Sequence, residues 1–298
     1  MSLASAVANS VLGRPLAPGR RWRDRAFFGL LVLSLLVALV TLFTLLVDTF
    51  LEGRPRLNGA LIQNMPSARP LRAGLQSAIF GSIWVVGITS LLSLPLGVGT
   101  AIFLQEFAPK NRWYIRWIEL NIQNLAGVPS VVFGILGLAF IARGPLSWGF
   151  TVRTGALVLT ILVLPLVIIA SREAIRAVPP SIRDGSLALG ATQWQTIWRQ
   201  ILPAAVPGIA TGSILSASRA LGESAPLLLL GALTFVTFNP TGLDSGYTVL
   251  PLLIFKYASD AKAEFHVVAA AGIIVLLLVL LSLNATAILV RNRFRKRL

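Results

Sequence analysis

The 298-residue sequence contains no cysteine, one histidine (His266) and only 11 acidic residues. Lacking thiols, it can form neither disulfides nor thiolate metal sites, and it has no cysteine nucleophile. One imidazole and so few carboxylates leave no catalytic cluster, so no catalytic or metal-binding residue is assigned and a membrane enzyme is the weakest reading. Lysine is also scarce, with four residues, none of which follows a glycine. A nucleotide-binding loop needs Gly-Lys followed by Ser or Thr to cradle phosphates, so this chain is not an ATPase of that class. Charged residues make up 12% of the chain and hydrophobic ones 55%, giving a mean hydropathy of +0.79. No ordinary soluble core needs so much apolar material.

Six apolar stretches reach membrane length, at 27–51, 75–104, 117–142, 155–170, 204–233 and 267–290. A helical span needs about 20 such residues, and the alternation of a membrane barrel is absent. The expected fold class is an all-α polytopic membrane protein with six transmembrane helices in a lipid bilayer. The net charge of +15 does not mark a nucleic-acid partner, because the basic residues gather at span ends rather than along one soluble face. With both termini in the cytoplasm, 17 basic residues fall inside and 8 outside, and Arg219 lies within a span. The positive-inside rule therefore predicts a multi-pass protein of the cytoplasmic (inner) membrane with both termini cytoplasmic, although Arg54, Arg56, Arg69 and Arg72 on an outer connection count against it.

The organisation read from the chain is a cytoplasmic tail over 1–26, a first transmembrane helix over 27–51 and an extracytoplasmic connection over 52–73. A five-helix core over 74–290 and a basic cytoplasmic tail over 291–298 follow. The first apolar stretch is longer than a signal-peptide core, so it is read as a retained helix. In the third span, Gly127 and Pro129 make a candidate hinge, since proline removes a backbone donor and glycine permits close approach; ordinary helix packing is the alternative.

The connection over 171–203 is polar and glycine-marked. It predicts a short helix over 182–189 capped by Ser181, with Asp184 in its first turn, a turn at Gly190, and a second helix capped by Thr192 and fixed by Leu202-Pro203. Leu187, Leu189, Trp194, Ile197 and Trp198 are more apolar than a solvated loop tolerates, which points to a partner surface or the membrane interface. Within the spans, Arg219 and Glu223 stand four residues apart in the fifth, on one helical face. Charge at that depth is costly and usually functional or paired, so Arg219 is read as meeting an oxyanion with Glu223 holding it in place. The alternative is an ion pair that satisfies only itself. Arg172 and Glu173 are read as a possible gate pair or as interface charges, and Asp48, Glu119 and His266 as interface residues. Asn121, Gln123 and Asn124 are read as lining a pore or as hydrogen-bonding between helices.

Three motifs carry a resemblance. Asp184, Gly190 and Leu202-Pro203 fall on the spacing of the EAA signature of bacterial ABC-importer permeases, with Asp184-Gly185-Ser186 standing for Glu-Ala-Ala and Gln200 at a usually aliphatic position. The runs 124–134 (NLAGVPSVVFG), 172–179 (REAIRAVP) and 218–226 (SRALGESAP) are similar to membrane subunits of the high-affinity phosphate importer, and the chain resembles its PstA-type permease over roughly 70–290. The resemblance implies a type I ABC-importer permease fold in which Asp184, Gly185, Ser186, Gly190, Leu202 and Pro203 form cytoplasmic coupling helices. It implies no cofactor in this chain and ATP and Mg bound by two copies of an ATP-binding subunit. It also implies a second homologous permease subunit, an extracytoplasmic phosphate-binding protein and phosphate as substrate. A permease for another oxyanion such as sulfate or molybdate, and a non-conducting scaffold or sensor, are the rival readings.

Overall fold

The computed structural model describes residues 18–109, 111–232 and 235–295. Among these, every regular element is helical. Contacts divide the chain into two units, one ending at Leu51 and one beginning at Glu52.

The first unit is a single helix, α1 (Pro18–Gly53), which runs two residues past the boundary. Its apolar side chains from Phe27 to Leu51 are exposed, as a lipid-facing helix requires. Its hydroxyls turn back on the helix: Ser34 donates to Leu31 O, Thr41 to Val37 O and Thr44 to Val40 O, all at 2.8–2.9 Å. These three hydroxyls are thereby not presented unpaired to hydrocarbon. The helix is already formed at Pro18, the first described residue, inside the segment expected to be a tail. Residues 1–17 of that expected tail lie outside the described residues, as do 296–298 of the expected basic tail, whose beginning is the end of the last helix.

In the second unit the 52–73 connection is folded rather than irregular. A short helix α2 (Gly59–Gln63) is capped by Asn58, whose side chain accepts from Leu61 N, and Leu61 enters the core. Arg56 staples the segment by donating to Leu71 O, Pro70 O and Ala73 O at 2.9–3.1 Å. The spans that follow are α3 (Gln76–Ile102), the pair α4 (Trp113–Ala126) and α5 (Ser130–Leu136), and α6 (Val152–Arg176). After them come α7 (Pro180–Ala188), α8 (Gln193–Thr196), α9 (Leu202–Gly222), α10 (Ala225–Leu229), α11 (Leu250–Ala258) and α12 (Ala263–Arg295). Among the described residues, five helices are long and apolar enough to cross a membrane, or six if α4 and α5, the latter continued by a π-helical turn to Ala142, count as one bent span.

Small residues let α3, α6 and α9 pack closely. A Cβ at Gly97 would lie 2.5 Å from Val167 Cγ1, and the buried Thr89 hydroxyl donates to Ala156 O at 3.2 Å. Farther along α6, Gly208 and Gly212 of α9 face Ala174 and Ala170, with a Cβ at Gly212 only 2.4 Å from that of Ala170. This four-residue spacing of small side chains on both helices is the usual way membrane helices approach without a hydrophobic drive. One apolar cluster gathers Val85, Leu159, Leu162, Leu227, Tyr247 and Leu252; another joins Leu61 and Leu75 to Leu253, Tyr257 and Phe265.

Candidate functional site

The loop after α6 is built from its caps. Pro179 cannot donate to Ile175 O, which accepts instead from Val178 N at 3.3 Å as α6 closes, and α7 begins at Pro180. The N-cap is Pro179, with no side-chain bond, so the expected cap at Ser181 is not made and Asp184 lies beyond the first turn. At the far end of α7, Ala191 N donates to Ser186 O and Gly190 N to Leu187 O, a Schellman closure with Gly190 at φ +82°. Thr192 then caps α8 with a full capping box: its hydroxyl accepts from Gln195 N, and Gln195 Oε1 accepts from Thr192 N. A hydroxyl pair, Ser186 Oγ and Thr196 Oγ1 at 2.9 Å, ties the two helices together.

A π-helical turn, Ile197–Ile201, carries the chain straight into α9, since Pro203 supplies no donor to the carbonyl four residues earlier. The loop is thus continuous with a membrane span rather than separated from it. Asp184, Gly185 and Gly190 are exposed, Leu189 is 91% exposed, and Leu187, Trp194 and Trp198 are also open. Ile197 is the exception: it is buried with Ile175, Ile201 and Ala205 and so belongs to the base of the loop, not to its outer face.

Farther along, Arg219 and Glu223 do meet, Nε to Oε1 at 3.3 Å, with the arginine side chain 46% exposed and the carboxylate 16%. They do not share a helix, however. Pro226 has no N–H for Gly222 O, α9 stops at Gly222, and Glu223 takes an extended ψ of 120° before α10 starts. The fifth apolar stretch is therefore a span ending at Gly222 followed by a break. The third is broken too: at Gly127-Val128-Pro129 the axis turns by 101° between α4 and the helix that follows. The helices that follow the two breaks are packed against each other, because a Cβ at Gly134 of α5 would lie 2.7 Å from Pro226 Cα of α10.

Arg172 and Glu173 are not partners. Arg172 reaches Glu119 of α4 at 2.8 Å and Gln105 at 3.4 Å, whereas Glu173 approaches only Arg176, at 3.8 Å and in the open. Neighbours in sequence point about 100° apart on a helix, so one faces the bundle and the other leaves it. Asn121 donates to Trp117 O of its own helix at 2.7 Å, which accounts for its polarity locally. In the connection between α10 and α12, burial pulls the Lys256 ammonium, 4.3 Å from the Phe235 ring centroid, below the usual lysine pKa, and nearby Asp260 works against that shift.

Residues 93–296 match the model of the family described as binding-protein-dependent transport system inner membrane component. This chain belongs to that family. The matched segment covers the loop, both breaks and the Arg219–Glu223 pair. A probable ABC transporter permease, YqgI of Bacillus subtilis, is 34% identical over 83% of this chain and 82% of its own length. The phosphate transport system permease PstA of Yersinia pestis is 31% identical over 93% of this chain and 92% of its own, and PstA 1 of Mycobacterium tuberculosis (strain H37Rv) 30% over 94% and 91%. This permease is of the PstA type. Among solved structures, a chain of a bacterial ABC transporter involved in the import of the acidic polysaccharide alginate superposes with a TM-score of 0.63 at 19% identity, over 92% of this chain and 99% of that one. A chain of the methionine transporter MetNI, inward facing, gives 0.61 at 15% identity over 73% and 94%. The fold is that of type I ABC-importer permeases.

The inner membrane component carries site residues that sequence reasoning passed over. Glu106, in the π-helical turn Phe103–Phe107 after α3, is bonded to Arg183 of α7, its carboxylate only 4% exposed. Gln193 of α8 donates to the backbone oxygen of the same residue. The available signal was an acid closing a long apolar run, a position that requires a cation nearby.

Proposed function

We propose that this permease forms the path for inorganic phosphate in an ATP-driven importer, working by alternating access. The observation that carries the reading is the Arg219–Glu223 pair set at a helix break, with the helix after it packed on the helix that follows a second break at Gly127-Val128-Pro129. Irregular backbone at membrane depth is tolerated where it is buried in protein or lines a water-filled cavity. A guanidinium there attracts an oxyanion, and the adjoining carboxylate keeps the anion from being trapped. The likeness to PstA permeases, which are named for phosphate transport, supports phosphate over other anions.

In this reading both termini and the loop from Pro180 to Pro203 are cytoplasmic. Two ATP-binding subunits, which hold ATP and Mg, dock on the exposed face of the loop around Asp184, Gly185, Gly190 and Trp194. A second homologous permease completes the pore, and an extracytoplasmic phosphate-binding protein delivers the substrate. Closure of the motor pushes the loop, the bent helices rock about Gly127 and Pro129, and the pore opens outward. Arg172, through Glu119, locks α6 to α4 and gates the inner end.

The test is Arg219→Gln in the complete complex reconstituted in liposomes. Phosphate uptake is expected to fall to background while the variant still assembles with its motor. Uptake that survives would make the pair structural. Competition by sulfate separates the second reading, a permease for another oxyanion, because a guanidinium binds either anion.

A further inference from the structure

The loop drives α9 by direct continuity, but it also grips a helix far from it in sequence. Arg183 of α7 and Gln193 of α8 both converge on Glu106, through its side chain and its backbone oxygen respectively. The Phe107 and Trp194 rings lie 6.4 Å apart, and Trp194 meets Trp198 edge-on at 5.5 Å. Underneath, Ala101 of α3 is buried with Ile175, Ile197 and Ile201. Glu106 lies in the last turn of the helix that ends at Phe107, where carbonyls have no donor from their own helix, and this leaves its backbone oxygen to accept from outside. A carboxylate 4% exposed is strongly tied to its partner, because separation strands a buried charge.

We infer that Glu106 is a positioning residue which latches the end of α3 to both helices of the loop, so that a push on the loop moves α3 and α9 together. The inference rests on the coupling role given to the loop above. It explains why two loop helices converge on one residue. A contact serving only to fold the loop needs neither the second bond nor the shared ring contacts.

Glu106→Gln keeps the shape and removes the charge, and Glu106→Arg with Arg183→Glu restores the pair reversed. In the complete complex, E106Q is expected to keep assembly and ATP hydrolysis while transport per ATP falls by about 5–150-fold, the usual range of coupling between sites. The reversed pair should recover most of that loss. Because the sequence has no cysteine, spin labels at Ser181→Cys, exposed at the start of α7, and Leu96→Cys on α3 report the latch directly. Their separation should stay constant through the nucleotide cycle in the otherwise unchanged chain and vary in E106Q. A constant separation in E106Q, unchanged transport per ATP, or loss of assembly in E106Q that the reversed pair does not repair would each overturn the inference. The label distances do not depend on what is carried. An otherwise unchanged complex that transports no phosphate yet shows the constant separation would remove the substrate assignment and leave the latch standing.

Discussion

At the residue scale, Gly190 shows what a single position demands. Its φ of +82° lies in the left-handed region, yet a Cβ built there meets nothing within 4 Å. The requirement is conformational and not steric, which separates substitutions that would otherwise look alike. A β-branched residue in that region costs about 1–2 kcal/mol, while asparagine enters it readily. Gly190→Val should open the Schellman closure, release Ala191 from Ser186 O and cut ATP-driven uptake severely with the protein still in the membrane. Gly190→Asn should retain most uptake. Equal transport in the two, measured in the same liposomes, would show that the left-handed turn is not what the motor needs. Arg219 makes the complementary point: its pairing with Glu223 is kept although the helix that was expected to hold both ends between them.

The element scale is where the sequence was most and least legible. Span positions, the Gly190 turn and the Thr192 cap were all readable, because apolar length and capping chemistry are local properties. The break at Glu223 was less so, since an apolar run gives no sign of a missing donor unless Pro226 is traced to the carbonyl four residues back. Contacts between distant elements left little local trace: an acid closing an apolar run calls for a cation but does not say which. Glu106 with Arg183, and Arg172 with Glu119 rather than Glu173, are set by how helices cross, which no spacing rule within one helix supplies. The α6–α9 crossing is decided by small residues, and this makes it testable. Any side chain at Gly212 must displace Ala170, whose Cβ would be 2.4 Å away. Gly212→Leu should destabilise the packed pair by about 1–3 kcal/mol, the usual cost of overpacking, and lower the amount of protein in the membrane. For the milder Gly212→Ala, a second change, Ala170→Gly, should restore the thermal stability of purified protein. If it does not, the crossing is held by something other than close approach.

At the scale of the whole molecule, the mechanism turns on which face of the membrane the loop occupies, since only the cytoplasm supplies ATP to a motor. Charge counting favours a cytoplasmic loop, and Arg54, Arg56, Arg69 and Arg72 were the chief evidence against it. The structure weakens that objection in part. Arg56 is spent on the carbonyls of Pro70, Leu71 and Ala73, so its charge is present to close a folded connection irrespective of orientation. Arg153, also counted outside, is held by Asp244 at 2.9 Å and by the Trp148 ring at 4.8 Å. The absence of cysteine turns this into a clean measurement, because one introduced thiol is the only thiol. Leu71 in the connection is 83% exposed and Leu189 on the loop 91%, so either tolerates replacement. Leu71→Cys should react with a membrane-impermeant maleimide in intact cells, and Leu189→Cys only after the membrane is opened or inverted. The opposite pattern would put the loop on the face without ATP, and no motor of this class could then drive it.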